Sequence, residues 1–433
     1  MLGLAVAAAA AVVAGVVVQR APNTHPQLAS PRYATDSFDY RPGAIGTAAG
    51  FPALGYRVPD LSDVSASSAR DAWVVGSVAW HWDGRRWQSV SLPALAPEWS
   101  LSSVAAVAAD RAWAVGSSNG PMDELASTRP LVEQWDGERW QVVPVPMKAP
   151  GAFDAVSADA PDDVWAVGWW LPNGTSRRRA DAATRPLIAH WDGHTWTITR
   201  LAGRRSDSLE QVVAVTSTDV WVAGPGLSME GRPTVRHWDG AGWSAIRAPF
   251  GPHDPAFVLA ATSPTDAWAV GGILVRGHVK PISAHWDGHT WMIASTPEQN
   301  SDSALVDVQA VSSTNVWALG QSYYTKVTHP ASCTPCTEVG STFPIAIYEH
   351  WNGQRWSLAP TSSPRMMFEG SQSITVAPDG SAWAAGGCYW QDVVTHWNGH
   401  SWVPSRHPPD VTWPASWPTR DRHAPGPSCV GHS

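Results

Sequence analysis

The chain has 433 residues, of which 44% are hydrophobic and 15% charged, and its formal net charge is −8. Length alone would suit two or three ordinary domains. The acidic balance excludes a general nucleic-acid binder, and the Arg177-Arg178-Arg179 and Arg204-Arg205 runs read as solvated loops.

In chain order, residues 1–20 come first. Met1 to Val18 form an uncharged apolar run that Gln19-Arg20 ends. Its length suits a signal peptide core or a single membrane anchor. No basic stretch precedes it and no clear Ala-x-Ala site closes it, so both alternatives stand. Each places the remainder outside the cytoplasm, secreted or held at the cell surface. Residues 21–58 read as a polar linker containing Pro and Gly, and residues 407–433 as a Pro-rich tail.

Between them, residues 59–406 carry a tryptophan pattern in seven copies. The first set is Trp73, Trp113, Trp165, Trp221, Trp268, Trp317 and Trp383. The second is Trp82, Trp135, Trp191, Trp238, Trp286, Trp351 and Trp397, and a third Trp follows each of these by 5 residues. The third copy shows the predicted elements. Phe153–Ala158 alternates as strand A, and Val164–Gly168 is strand B. Pro186–Trp191 is strand C, Asp192-Gly193 is a tight turn, and Thr195–Arg200 is strand D. Four antiparallel strands repeated seven times predict an all-β, seven-bladed β-propeller with strand A lining the channel.

A hairpin solenoid would need atypical capping repeats, but the first and last copies keep all three tryptophans, which favours the ring. Both copies hold a complete strand set, so closure is expected without exchange of a strand between termini. Val58 and its neighbours could instead add an outer strand.

The spacing also separates two faces. From the third Trp to the next first Trp the distance stays at 25 to 27 residues. From the first to the second it is 9, 22, 26, 17, 18, 34 and 14. Variation therefore sits in the B–C connection. B–C and D–A connections share one face, and variable loops on a rigid scaffold are where binding resides.

The run Asp163-Val-Trp-Ala-Val-Gly168 followed by His190-Trp-Asp-Gly-His-Thr-Trp196 resembles the repeat of exported bacterial β-propeller proteins of actinobacterial type, Kelch-like or galactose-oxidase-like in fold. The resemblance spans residues of about 60 to 405 and implies fold rather than activity. A looser similarity to tectonin repeats implies recognition of sugars or glycolipids. Two enzyme patterns fail. Asp379-Gly-Ser-Ala-Trp383 is one residue short of a sialidase Asp-box, and no tyrosine set suits the copper of galactose oxidase.

The histidine before the second Trp recurs at His81, His190, His237, His285, His350 and His396, with Gln134 in the second copy. One per blade cannot converge on a metal, so these are expected to hydrogen-bond within their blades. No metal and no cofactor is expected. The surplus aromatics Trp169, Trp170, Tyr323, Tyr324, Tyr389 and Trp390 follow strand B in their blades and are the candidate ligand-binding residues. Trp80, Trp99, Trp413 and Trp417 complete the tryptophans outside the motif.

Four cysteines in an oxidising space predict Cys333–Cys336 and Cys388–Cys429 disulfides, the second clasping the tail to blade seven. A zinc site at the Cys-x-x-Cys would have only His329 nearby.

The reading that follows is an exported or surface-anchored module, expected to be a monomer. It would bind a glycan, peptide or protein through its B–C face and touch membrane only through its N-terminal segment. The alternative is a secreted glycoside hydrolase or lyase using Asp123, Glu124, Asp181 or Asp254 on that face.

Overall fold

The computed structural model describes residues 61–405 apart from 94–98, 119–126, 173–182, 202–207, 225–233, 251–256, 298, 300–301, 329–338, 363–368 and 389–390. The expected N-terminal segment, linker and tail lie outside the described residues. So do Cys333, Cys336, Cys429, Tyr389, Trp390 and the four acids named for the enzyme alternative.

Seven four-stranded antiparallel sheets follow one another along the chain, each built from four consecutive strands. In blade three strand A is Gly151–Ala160, B is Asp163–Trp170, C is Arg185–Trp191 and D is Trp196–Arg200. Alternation of small apolar and polar residues builds each strand, and Asx chemistry ends the outer hairpin. Asp192 Oδ1 accepts the His194 and Thr195 amides at 2.9 and 2.8 Å, and Gly193 takes φ +90°. The same two-amide turn recurs at Asp83, Asp136, Asp239, Asp287, Asn352 and Asn398.

The sheets close into a ring. Each of seven apolar clusters is shared by two adjacent blades, and one of them joins blade seven to blade one. Among the described residues each sheet is made of four consecutive strands, with none exchanged between the first and last blades. The seam is held instead by Leu61, Val64 and Trp87 packed with Ala377, Trp383 and Val394. Ala69 N also donates to Asp379 Oδ2 at 2.7 Å, and Trp87 Nε1 to Ser405 Oγ at 2.9 Å.

The motif tryptophans form the wedge between blades. Trp73 meets Trp135 and Trp140 of the next blade at 4.8 and 4.9 Å, and Trp268 meets Trp351 and Trp356 at 4.9 and 5.4 Å. The indole of the second Trp also ties down the A–B turn of its own blade. Trp82 Nε1 donates to Ala69 O at 3.1 Å and Trp286 Nε1 to Pro264 O at 3.2 Å. This makes the A–B and C–D turns one uniform face. Trp80, outside the motif, belongs to the core of the seam.

The opposite face differs from the loops expected there. In blade five strands B and C run on as one hairpin, Asp266–Val275 and His278–Trp286, joined by Arg276-Gly277 at φ 53° and 85°. Two successive positive φ values match the twist of a two-residue hairpin. In blade six strands B and C extend to Asn315–Thr328 and Val339–Trp351, with Tyr323 opposite Pro344 and Tyr324 opposite Phe343. The added length is partly ladder, because these segments are rich in β-branched and aromatic residues.

Candidate functional site

Five of the six repeated histidines prove to be blade fasteners. His Nε2 meets Oδ1 of the aspartate two residues before the first Trp in His81–Asp71, His190–Asp163, His237–Asp219 and His285–Asp266, at 2.6 to 2.7 Å. The imidazole lies against that Trp, with ring centroids 4.3 Å apart in Trp73–His81 and 4.0 Å in Trp165–His190. In blade six Asn315 replaces the aspartate at 2.8 Å, and burial lowers the His350 pKa. Blade two pairs the changes, with Arg111 and Gln134 at the two positions. In the five blades with such a bond the imidazole is engaged within its own sheet.

A second polar system, not recognised in the sequence, circles the channel. Strand A bulges between Leu61 and Asp63, Leu101 and Ser103, and Leu305 and Asp307. The bulge turns the residue ten before the first Trp toward the next blade. Asp63 Oδ2 accepts from Ser103 Oγ and Val104 N at 2.7 and 2.9 Å. Its Oδ1 accepts from Val64 N and from Ser373 Oγ of blade seven, at 2.8 and 2.6 Å. Asp307 Oδ2 accepts from Ile374 N at 2.7 Å, Ser103 Oγ from Val156 N at 3.2 Å, and Gln211 Oε1 from Leu259 N at 2.7 Å. This belt latches blade one to two, two to three, four to five, six to seven and seven to one. Burial raises the Asp63 pKa despite four donors, and burial with the nearby Asp63 charge pushes Asp307 to about 7.

Two further carboxyls lie between blades. Glu133 and Glu349 occupy equivalent positions in strand C, are 0% exposed, and have no hydrogen-bond partner on either oxygen. Blades three and five carry Ala189 and Ala284 there. Burial raises the pKa of Glu133 to about 7 and of Glu349 to about 8, so both favour the neutral acid.

On the variable face two of the four described candidates, Trp169 and Trp170, lie on blade three and the other two on blade six. Trp169 and Trp170 end strand B as part of the ladder, opposite Pro186 and Arg185. Their side chains alternate, so they do not form one platform. Trp170 packs on the cluster between blades two and three. The Arg200 guanidinium, at the end of strand D, lies 4.6 Å from the Trp170 ring centre. Lys148, Ala149, Trp170, Pro172 and Arg200 line an open cavity of about 310 Å³. Lys148 and Arg200 are exposed, and neither pairs with a carboxylate among the described residues. Tyr323 and Tyr324 belong to the extended hairpin of blade six, away from this groove in the chain and on another blade. Cys388 ends strand B of blade seven, Ala382–Cys388.

Nearer the channel, at the start of strand A in blade three, is Asp154, with Glu210 just before strand A of blade four. Burial, and then the Glu210 charge, raise the Asp154 pKa well above the usual carboxylate range, and desolvation by the surrounding protein raises that of Glu210, itself an exposed residue. The sequence hides this pair because the two residues are 56 positions apart in blades that differ at that site. Among the described residues no three His, Cys, Asp or Glu side chains are grouped to hold a metal ion.

Compared with known proteins, the sequence matches no family and no curated protein. Solved structures resemble it in architecture. YCF48 bound to D1 peptide is 15% identical, with TM-score 0.47, covering 78% of this chain and 96% of its own. The GH74 xyloglucanase from Xanthomonas campestris is 12% identical, with TM-score 0.49, covering 81% and 55%. The six-bladed fucose-recognising lectin of Aleuria aurantia is 11% identical, with TM-score 0.42, covering 83% and 98%. At such identities the likeness is one of β-propeller architecture alone, and the chain described here is a Trp-rich seven-bladed β-propeller.

Proposed function

We propose that this propeller is an exported or surface-anchored binding module holding a glycan, peptide or protein ligand on its B–C and D–A face. The observation that carries the reading is the cavity at blade three, where Trp170, Arg200 and Lys148 meet on the variable face. The opposite face is spent on identical turns, and the repeated polar residues are spent on fastening blades. An apolar rim with a few unpaired polar groups is the composition of a binding site. Export rests on the apolar run at Met1 to Val18, and with it goes a Cys388–Cys429 clasp. Mass spectrometry of non-reduced peptides tests the clasp, which a free Cys388 would eliminate.

The test of binding is a glycan array with a peptide library alongside, read with the full chain and with Trp170→Ala. A ligand that binds the first and not the second supports the site. Binding untouched by Trp170→Ala moves the site elsewhere.

A second reading, a glycoside-active enzyme, is favoured by Asp154 and Glu210, neighbouring carboxyls with raised pKa values at the channel. Turnover of chromogenic glycosides that Asp154→Asn abolishes would establish it. Its absence across a broad panel leaves the binding module.

A further inference from the structure

Resting on the reading of the blade-three cavity as a ligand site, we infer that its ligand is an acidic glycan, bearing a carboxylate or sulfate on a sugar ring.

The first argument is what covers Trp170. A neutral sugar is commonly held by stacking its C–H face on an open indole. Here Arg200 lies over the ring, 4.6 Å from its centre. A guanidinium held over an indole keeps N–H groups available for a further partner. Those groups match a carboxylate or sulfate with two parallel hydrogen bonds. Because the side chain is already held, less ordering entropy is lost when an anion docks.

The second argument is charge. The chain carries an excess of acids, 37 Asp and Glu against 29 Lys and Arg. Even so, Lys148 and Arg200 line one cavity and neither has an acid partner among the described residues. A neutral ligand would crowd two cations without compensating either. An anionic ligand compensates both and is drawn to a basic spot on an acidic body.

The third argument is shape. A peptide added to a sheet needs a free strand edge. At Trp170 strand B of blade three offers none, being paired with Gly151 and with Arg185, and the free outer edge of this sheet is that of strand D. The cavity, about 310 Å³ and floored by Ala149, Trp170 and Pro172, suits a compact ring.

The experiment is calorimetric titration of the full chain with tetragalacturonate, its methyl ester, a sulfated galactan tetrasaccharide and tetraglutamate. Arg200→Gln and Lys148→Gln are titrated in parallel, with thermal melts to establish that each is folded. The expected result is binding of one of the two acidic sugars. Affinity should fall about tenfold or more in Arg200→Gln and about threefold in Lys148→Gln. If tetragalacturonate is the binder, its methyl ester should bind at least tenfold more weakly. The inference is overturned if neither acidic sugar binds, if the ester binds equally well, if tetraglutamate binds as tightly, or if Arg200→Gln changes nothing. Its failure differs from that of the binding-site reading. Neutral array glycans lost in Trp170→Ala would keep the site and discard the acidic sugar, whereas silence of the whole array would discard both.

Discussion

Asp63 and Glu349 are both carboxyls in the interior of the ring, and they have been treated in opposite ways. Asp63 receives four donors from three blades, whereas Glu349 receives none. The difference lies in the backbone beneath them. Asp63 stands on a bulge that aims it at the amides of the next blade, where a strand edge offers N–H groups. Glu349 stands within the ladder, opposite Ala318 and Leu358, where neither carboxyl oxygen meets a donor. A buried carboxyl is a latch where donors converge and a cost where they do not.

The largest effect should come from removing the latch. Asp63→Ala strands the Val104 amide and the Ser103 and Ser373 hydroxyls at the closing seam. We expect a loss of about 3–5 kcal/mol in denaturant unfolding. If the loss is no greater than that of an average surface substitution, the belt is not what closes the ring. Next comes the bulge that presents Ser103 and Val104. At Gly116 a Cβ would stand 2.0 Å from Ser100 O and 2.9 Å from Leu101 Cα. Gly116→Ala must therefore displace that bulge, costing about 1–3 kcal/mol. Coupling with Asp63→Ala in a double-mutant cycle would show that bulge and latch act together.

The other side of the comparison predicts a gain. Glu349→Met should stabilise by about 1–3 kcal/mol above pH 8, and by less at pH 5. The sign follows from the raised pKa. The folded protein holds this proton up to about pH 8. The unfolded chain releases it near the ordinary glutamate value, so stability drains away as pH rises between the two. Thermal melts from pH 5 to 9 should show a decline for the native chain that is shallower in the variant. A parallel decline would mean that Glu349 has found donors.

The smallest effect should come from the outer turns. Asp192 accepts two amides at the surface, and those bonds hold its pKa below the ordinary value. Asp192→Asn should leave the melting temperature unchanged, because Asn352 and Asn398 already make the same turn. Asp192→Ala should lower it by about 1–2 °C.

The contrast between Asp63 and Glu349 also explains what could be read in advance. The Trp spacing and the Asp-Gly turns are local and repeat seven times, so the blades were plain before any coordinates. The fastening role of the histidines was also legible, since ligands spread around a ring cannot converge. Asp63 was not legible, because a bulge reverses the ordinary in–out alternation of strand A. Nor was the pairing of Trp170 with Arg200. Arg200 reads as the end of a strand, and only the folded sheet brings it over the indole of Trp170, 30 positions earlier in the chain.

What the sequence by itself determined is the unit, its number and its uniform face, because repetition carries local hydrogen bonding and side-chain periodicity in full. The tertiary structure alone decided how blades meet. It set which polar side chain reaches a neighbouring amide, which carboxyl is buried without one, and which cations gather at one groove. Those outcomes depend on contacts between blades, where residues 40 to 310 positions apart in the chain share a surface. No local pattern encodes such a meeting, because its energy exists only after the ring has closed.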